Sequence, residues 1–192
     1  MIPVEPKWKS LVVETLTPVF TPEQCQHIIN MGENLKREQA QVGGEPGGKH
    51  DTYKRITTIS WIPFDKLPPM YKILDDLIYR TNVNHFGFDG VRITEQAQYT
   101  HYPVGGFYEW HTDNEIVGIN QPPIRKISMT LLLSPPNEFE GGDLELIDVG
   151  KPVKLKQGQA VFFASFIPHR VKPVTRGERK SLVMWFGGPS FR

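Results

Sequence analysis

The chain has 192 residues, 39% hydrophobic and 11% aromatic, with a formal net charge of +1. That length builds a substantial core, and the near-balance of charge excludes the electrostatic footprint of a nucleic-acid or membrane-surface binder. No apolar run approaches the roughly 18 residues of a spanning helix, the N-terminus "MIPVEPKWKS" lacks a signal peptide's apolar core, and Cys25 stands alone; together these predict a reducing, cytoplasmic setting.

Seventeen glycines and seventeen prolines imply many turns and short strands. "SLVVETLTPVF" reads as an early strand. In "TPEQCQHIINMGENL", Thr21 and Gln24 stand at capping-box spacing with Pro22 at the first helical position. Cys25, Ile28 and Ile29 form the apolar stripe of that helix, and His27 lies off it, on the surface. Gln41 to Arg55, "QVGGEPGGKHDTYKR", is too glycine-rich and polar to order itself. It is expected to be a mobile loop, either a plain connection or a lid using His50, Asp51, Tyr53 and Arg55. "RITTISWIP" reads as a strand, and "DKLPPMYKILDDLIYRTNVNHFG" as a second helix with Met70, Leu74, Leu77 and Ile78 in the core and His85 near its end.

After Gly90 the pattern changes to short strands: "VRITEQAQYTHY", "RKISMTLLLS", "GDLELID", "KPVKLKQGQAVFFA", "HRVKPV" and "RKSLVMWFG". They predict a sandwich or barrel, with "IDVGKPVKL" as a hairpin turning at Gly150 and the helices packed on one sheet.

Within "FYEWHTDNE", His111 and Asp113 are two apart, so on a strand they share a face and offer a two-point grip on a divalent metal. A third ligand must come from elsewhere. His27, His50 and His85 sit in helix or loop contexts, and the turn residues beside His101 make it hard to aim inward. His169 follows the apolar run "AVFFASFIP" and stands at a strand terminus. Two histidines and one carboxylate leave positions open on an octahedral metal, which suits non-haem Fe(II) oxygen chemistry. Arg179, ten residues further on, is placed to clamp the far carboxylate of an anionic co-substrate. Lys180 points to the opposite face, and Arg176 and Glu178 read as a solvated turn.

The segments "QYTHYPVGGFYEWHTDN", "LLLSPPNEFEGGDLEL" and "GQAVFFASFIPHRVKPVTRGERKSL", with Trp185 beyond them, resemble the 2-oxoglutarate- and Fe(II)-dependent dioxygenases of the prolyl 4-hydroxylase group. The likeness is greatest to short bacterial and phage-type members with the proline/lysine-hydroxylase-like domain. "YKRITTISWIP" and "NVNHFGFD" extend it upstream. The resemblance implies a mainly β fold, a double-stranded β-helix (jelly roll) with N-terminal helices packed on one sheet. The whole chain is then one domain, with supporting elements over 1–90 and the jelly-roll core over 91–187. It implies His111, Asp113 and His169 as iron ligands, Arg179 as the partner of the 2-oxoglutarate C5 carboxylate, and Tyr102 as a co-substrate contact. Many members carry a tyrosine where this chain has Leu131 and Leu132, which leaves Thr130 as the substitute hydroxyl. Tyr108, Trp185 and Arg55 fall on the substrate side.

The implied cofactor is Fe(II), with 2-oxoglutarate and O2 as co-substrates and ascorbate as a further candidate. The implied reaction is hydroxylation of a prolyl residue in a peptide or protein, with succinate and CO2 as co-products. Two alternatives stand beside it: the same chemistry on a small molecule or another residue, and a non-catalytic jelly-roll binding module. Asp113 excludes the halogenase variant, which lacks the carboxylate ligand.

Overall fold

The structure, a computed structural model, describes residues 10–40, 53–114, 122–147 and 149–190. The elements are β1 (Val12–Glu14), α1 (Pro22–Asn34), β2 (Glu38–Gln39), β3 (Arg55–Ile56), β4 (Thr58–Ile62) and α2 (Pro68–Thr81). Then come β5 (Arg92–Ile93), β6 (Ala97–Tyr102), β7 (Phe107–His111), β8 (Ile124–Leu132) and β9 (Phe139–Gly141). The chain finishes with β10 (Leu144–Leu146), β11 (Ala160–Ala164), β12 (His169–Val171), β13 (Val174–Gly177) and β14 (Arg179–Gly188).

The expected capping box forms: Thr21 Oγ1 accepts the Gln24 amide at 3.3 Å, and the Gln24 side chain accepts the Thr21 amide at 2.9 Å. Cys25, Ile28, Ile29 and Gly32 are the buried face of α1. Gly32 is required by contact, since a Cβ there would lie 2.3 Å from the Tyr99 ring. In α2, Met70, Tyr71, Leu74 and Ile78 are buried and Leu77 is half-buried. A π turn over Asn82–Phe86 extends that helix to Gly87, whose left-handed backbone ends it. Both helices lie on the larger sheet, as the sequence predicts.

That sheet runs β1-β11-β8-β14-β6-β4-β2, with β5 also on β14; a smaller sheet runs β10-β12-β7-β3, and β13 pairs with β9. All pairings are antiparallel, and the two sheets make the jelly roll.

Three stretches differ from their sequence reading. "RITTISWIP" is not one strand: Arg55–Ile56 pairs with β7 in the small sheet, whereas Thr58–Ile62 pairs with β6 in the large one. Thr57 turns the corner between the sheets, its hydroxyl donating to the His101 carbonyl at 2.8 Å. "VRITEQAQYTHY" breaks between Ile93 and Ala97. The hairpin around Gly150 shrinks to a single bridge between Leu144 and Val153. Residues 41–52, with the lid reading and the parts assigned in it to His50 and Asp51, lie outside the described residues.

Alternation on the large sheet is reversed from the usual pattern. Tyr99, Ile127, Met129, Leu131, Leu182, Met184 and Phe186 form the apolar core on one face. The opposite face, turned toward the small sheet, carries Gln98, Thr100, Ser128, Thr130, Arg179 and Ser181, all buried. The register sets Arg179 against Tyr102, Ser181 against Thr100, and Trp185 against Ser128. Buried polar groups facing inward are the lining that a polar ligand requires.

Candidate metal centre and the cavity behind it

His111 ends β7 and His169 begins β12, directly opposite each other in the small sheet. Asp113 follows two residues later, its amide donating to the Ser165 carbonyl at 3.0 Å. One ligating atom from each of the three lies within 4.8 Å of the others. The His111 and His169 Nε2 atoms stand 3.7 and 3.5 Å from Asp113 oxygens. Those separations exceed hydrogen-bond range and leave room for an ion between the atoms.

The second nitrogen of each ring fixes its tautomer. His111 Nδ1 lies 2.7 Å from the Glu109 carbonyl and His169 Nδ1 lies 3.0 Å from that of Ile167. A carbonyl only accepts, so each Nδ1 carries the hydrogen and each Nε2 offers its lone pair to the gap. Burial would push the Asp113 carboxyl up, but the two imidazoles and the Ser128 hydroxyl, donating at 2.6 Å, outweigh it and hold the group ionised. The Trp185 indole N–H leans on the same carboxylate without completing a hydrogen bond of regular geometry. Burial, above all, pushes the His111 imidazole down toward its neutral form against the pull of Asp113. Two neutral imidazoles and one carboxylate make the donor set that a divalent ion takes.

Around this set, Tyr108 stacks on His111 with ring centroids 3.5 Å apart and planes at 16°. Strict alternation would put Tyr108 and His111 on opposite faces. A bulge removes the conflict: three steps along β7 match two along β12 between the paired residues. Arg55 lies over the other face of Tyr108, 4.3 Å from its centroid, and reaches Gln98 Oε1 at 3.4 Å. Its Nε is buried without a partner. Trp185 is 7% exposed and packs 6.0 Å from Trp61. Trp110 is outside the site, exposed on the far face of the small sheet.

Deeper in, Arg179 is 3% exposed. Among the described residues its hydrogen-bond partner is Ser181 Oγ, at 3.2 Å, and no carboxylate lies within ion-pair range. Burial pulls the guanidinium down from its usual value, with Tyr102 and Asp143 opposing. Tyr102 stands beside it, ring centroid 5.4 Å away. Thr130 shares the inner face but sits opposite Val183, so the hydroxyl touching Arg179 is that of Ser181. Lys180 points outward to Glu33, and His101 points outward to Glu178.

Residues 97–187 match the model of the 2OG-Fe(II) oxygenase superfamily. Over this segment the chain is similar to the 2OG-Fe(II) oxygenases. A PKHD-type hydroxylase of Hyphomonas neptunium is 44% identical over 84 residues, 42% of this chain and 38% of the relative. The chain thus spans well under half the length of the curated relatives it matches. Two solved structures share the fold. The viral collagen prolyl hydroxylase of Paramecium bursaria Chlorella virus-1, in complex with 2OG, has a TM-score of 0.73 at 18% identity and covers 93% of this chain and 97% of its own. A Trichoplax adhaerens prolyl hydroxylase in complex with a hypoxia-inducible-factor peptide fragment has a TM-score of 0.70 at 20% identity, covering 93% and 84%.

The residues the sequence reading did not single out are Ser128, Ser181, Gln98, Thr100, Glu95 and Arg125. For the first four the signal was present: Gln98-Thr100-Tyr102, Ser128-Thr130 and Arg179-Ser181 each set polar groups at period two.

Proposed function

We propose that this chain is a 2-oxoglutarate-dependent Fe(II) oxygenase that hydroxylates a C–H bond of a prolyl residue in a peptide or protein, with succinate and CO2 as co-products. The observation that carries the reading is Arg179, a buried cation with no carboxylate partner among the described residues, on the same inward face as Ser128 and Trp185 at the metal end. A buried, uncompensated guanidinium is costly unless an anion completes it. A dicarboxylate reaching from the three-ligand cluster to Arg179 does so.

In this reading His111, Asp113 and His169 hold the metal through two Nε2 atoms and a carboxylate oxygen. When bound, Fe(II) supplies the activation of dioxygen that no side chain can perform. Arg179 takes the far carboxylate of 2-oxoglutarate with Ser181 and Tyr102 beside it, and Thr130 narrows the passage. Tyr108 and Trp185 wall the substrate slot with flat apolar faces that suit a pyrrolidine ring, and Arg55 donates to a carbonyl of the substrate. The PKHD-type relative and the peptide-bound Trichoplax hydroxylase support a peptide substrate. Ascorbate rests on the family likeness alone, and a cytoplasmic setting rests on the lone Cys25. No helix among the described residues is long and apolar enough to cross a membrane. Residues 1–90 serve as support for a jelly-roll core over 91–187 within one functional domain.

The test is succinate formation from 2-oxoglutarate by the Fe(II)-loaded chain, with and without a proline-rich peptide, beside His111→Ala. Peptide-stimulated turnover that vanishes in the variant is expected. Turnover indifferent to the peptide would transfer the chemistry to a small molecule or another residue. A chain that binds no metal and turns over nothing would be a binding module.

A further inference from the structure

Behind the metal end, Glu95 and Arg125, which the proposed chemistry does not use, form layers on Trp185. Arg125 grips Glu95 with two nitrogens, Nε at 2.6 Å and one terminal nitrogen on the second oxygen. The same guanidinium lies over Trp185, its Cζ 3.9 Å from the ring centroid. Trp185 in turn sits directly across from Ser128, whose hydroxyl donates to Asp113. A bulge makes this possible. Ile127 pairs with Phe186 and Arg125 pairs with Gly187, so Lys126 is an extra residue in β8. It turns Arg125 onto the inner face with Trp185. The break in the strand between Ile93 and Ala97 is what frees Glu95 to meet it.

The molecule contains its own control. Glu145, Arg170 and Trp110 repeat the trio on the outer face of the small sheet. Arg170 Nε donates to Glu145 at 2.8 Å and its guanidinium lies 4.9 Å from the Trp110 ring. Trp110, however, is 44% exposed, whereas Trp185 is 7% exposed and abuts the ligand cluster. The two trios share chemistry and differ in what the indole touches.

We propose that Glu95 and Arg125 are positioning residues: they fix the Trp185 indole against the Ser128–Asp113 pair, and so hold the Asp113 carboxylate in orientation for its metal. The inference rests on the reading of Asp113 as a metal ligand. The indole N–H approaches the Asp113 carboxylate without a hydrogen bond of regular geometry, so the ring is pinned from behind. The bidentate contact to Glu95 removes the guanidinium's freedom to leave the ring. Outer-sphere partners of this kind set metal affinity.

The test is Co(II) binding by the full chain, read from the Co(II) absorption bands, with apo-protein melting measured in parallel. Arg125→Gln is expected to weaken Co(II) binding on the order of tenfold, the low end for loss of an outer-sphere partner. Glu95→Gln should weaken it less, and Arg170→Gln should leave it unchanged. In a Trp185→Phe background, Arg125→Gln should cost nothing further, because the two act as one unit. If Arg125→Gln does not fold, Arg125→Lys, which keeps the ion pair but loses the guanidinium over the ring, is compared with Arg170→Lys. Unchanged affinity in the Arg125 and Glu95 variants overturns the proposal, as does an equal loss in the Arg170 variant or full additivity with Trp185→Phe. Wild-type chain that binds no Co(II) overturns the metal reading itself, an outcome distinct from all of these.

Discussion

At one end of the inner face, its mouth, two imidazole lone pairs and a carboxylate face one another across a gap, while at the other, its floor, a guanidinium stands beside the Ser181 hydroxyl and the Tyr102 ring. The two regions were built differently. The mouth draws His111 and His169 from the irregular small sheet, where a bulge sets the faces and backbone carbonyls orient the rings. The floor uses regular register on the large sheet, where Arg179, Ser181 and Tyr102 follow from alternation alone. In the proposed reading the two ends, joined by a buried polar lining, take a metal at one and a carboxylate at the other.

The largest expected effect breaks the mouth. Asp113→Ala removes the anion from the donor set and leaves two neutral imidazoles. Co(II) binding and 2-oxoglutarate turnover should both fall to background. The melting temperature of the metal-free chain should change little, because a desolvated carboxylate is removed along with its contacts. A variant that keeps turnover would dismiss the cluster as the metal centre.

Breaking the floor gives a smaller, differently shaped loss. Arg179→Met removes a charge-assisted contact worth about 1.5–3 kcal/mol, so 2-oxoglutarate should bind roughly 10–100-fold more weakly while Co(II) affinity holds. The metal-free variant should be no less stable than the parent, since a lone buried cation is replaced by an apolar chain of similar length. Added 2-oxoglutarate should raise the melting temperature of the parent and barely move that of the variant. A destabilised variant with normal co-substrate affinity would make Arg179 a structural residue.

A milder version presses on the floor from outside. Gly142 has φ +64°, and a Cβ there would lie 2.8 Å from Arg179 Cδ. Gly142→Ala should cost about 1–2 kcal/mol in backbone strain, or roughly 2–8 °C in melting temperature. Displacing Arg179 should also weaken 2-oxoglutarate binding a few-fold.

The same contrast explains how much the sequence revealed. Arg179 was legible because period-two alternation aims it and sends Lys180 to the other face, and both are so placed. The capping box on α1 and the α2 core positions were legible for the same reason, being local and regular. The three ligand candidates were visible as residue types at a spacing, but Tyr108 on the same face as His111 was not derivable, because a bulge has no periodicity. Bulge-dependent Arg125 and break-dependent Glu95 were passed over entirely, as was the corner at Thr57 where one apparent strand changes sheets. Likeness reads a hydroxyl at the floor at Thr130, and alternation along β14 sets Ser181 beside Arg179 as well. Long-range register is set by pairing partners, which one strand's composition does not name.

The smallest effect tests whether the two faces of the large sheet are independent. On the outer face Glu33 accepts from Lys180 at 2.8 Å and from the Tyr99 hydroxyl at 3.2 Å, with Arg37 at 3.6 Å. The Lys180 hydrogen bond, more than any other contact, holds the Glu33 carboxyl below its ordinary 4.5. A carboxylate with a depressed pKa contributes stability that is fully present above its ordinary value and is lost as pH falls through its folded value. The parent should therefore lose stability between about pH 5 and pH 3 more steeply than Glu33→Gln. The difference should stay under about 1 kcal/mol, because the Glu33 side chain is 33% exposed and solvent screens the pair. Binding of 2-oxoglutarate should be unaffected, since Lys180 and Arg179 are adjacent in sequence but separated by the sheet. A tenfold loss of co-substrate affinity in Glu33→Gln would mean that the outer network sets the position of Arg179, and that the floor is held from behind as the mouth is held by Arg125.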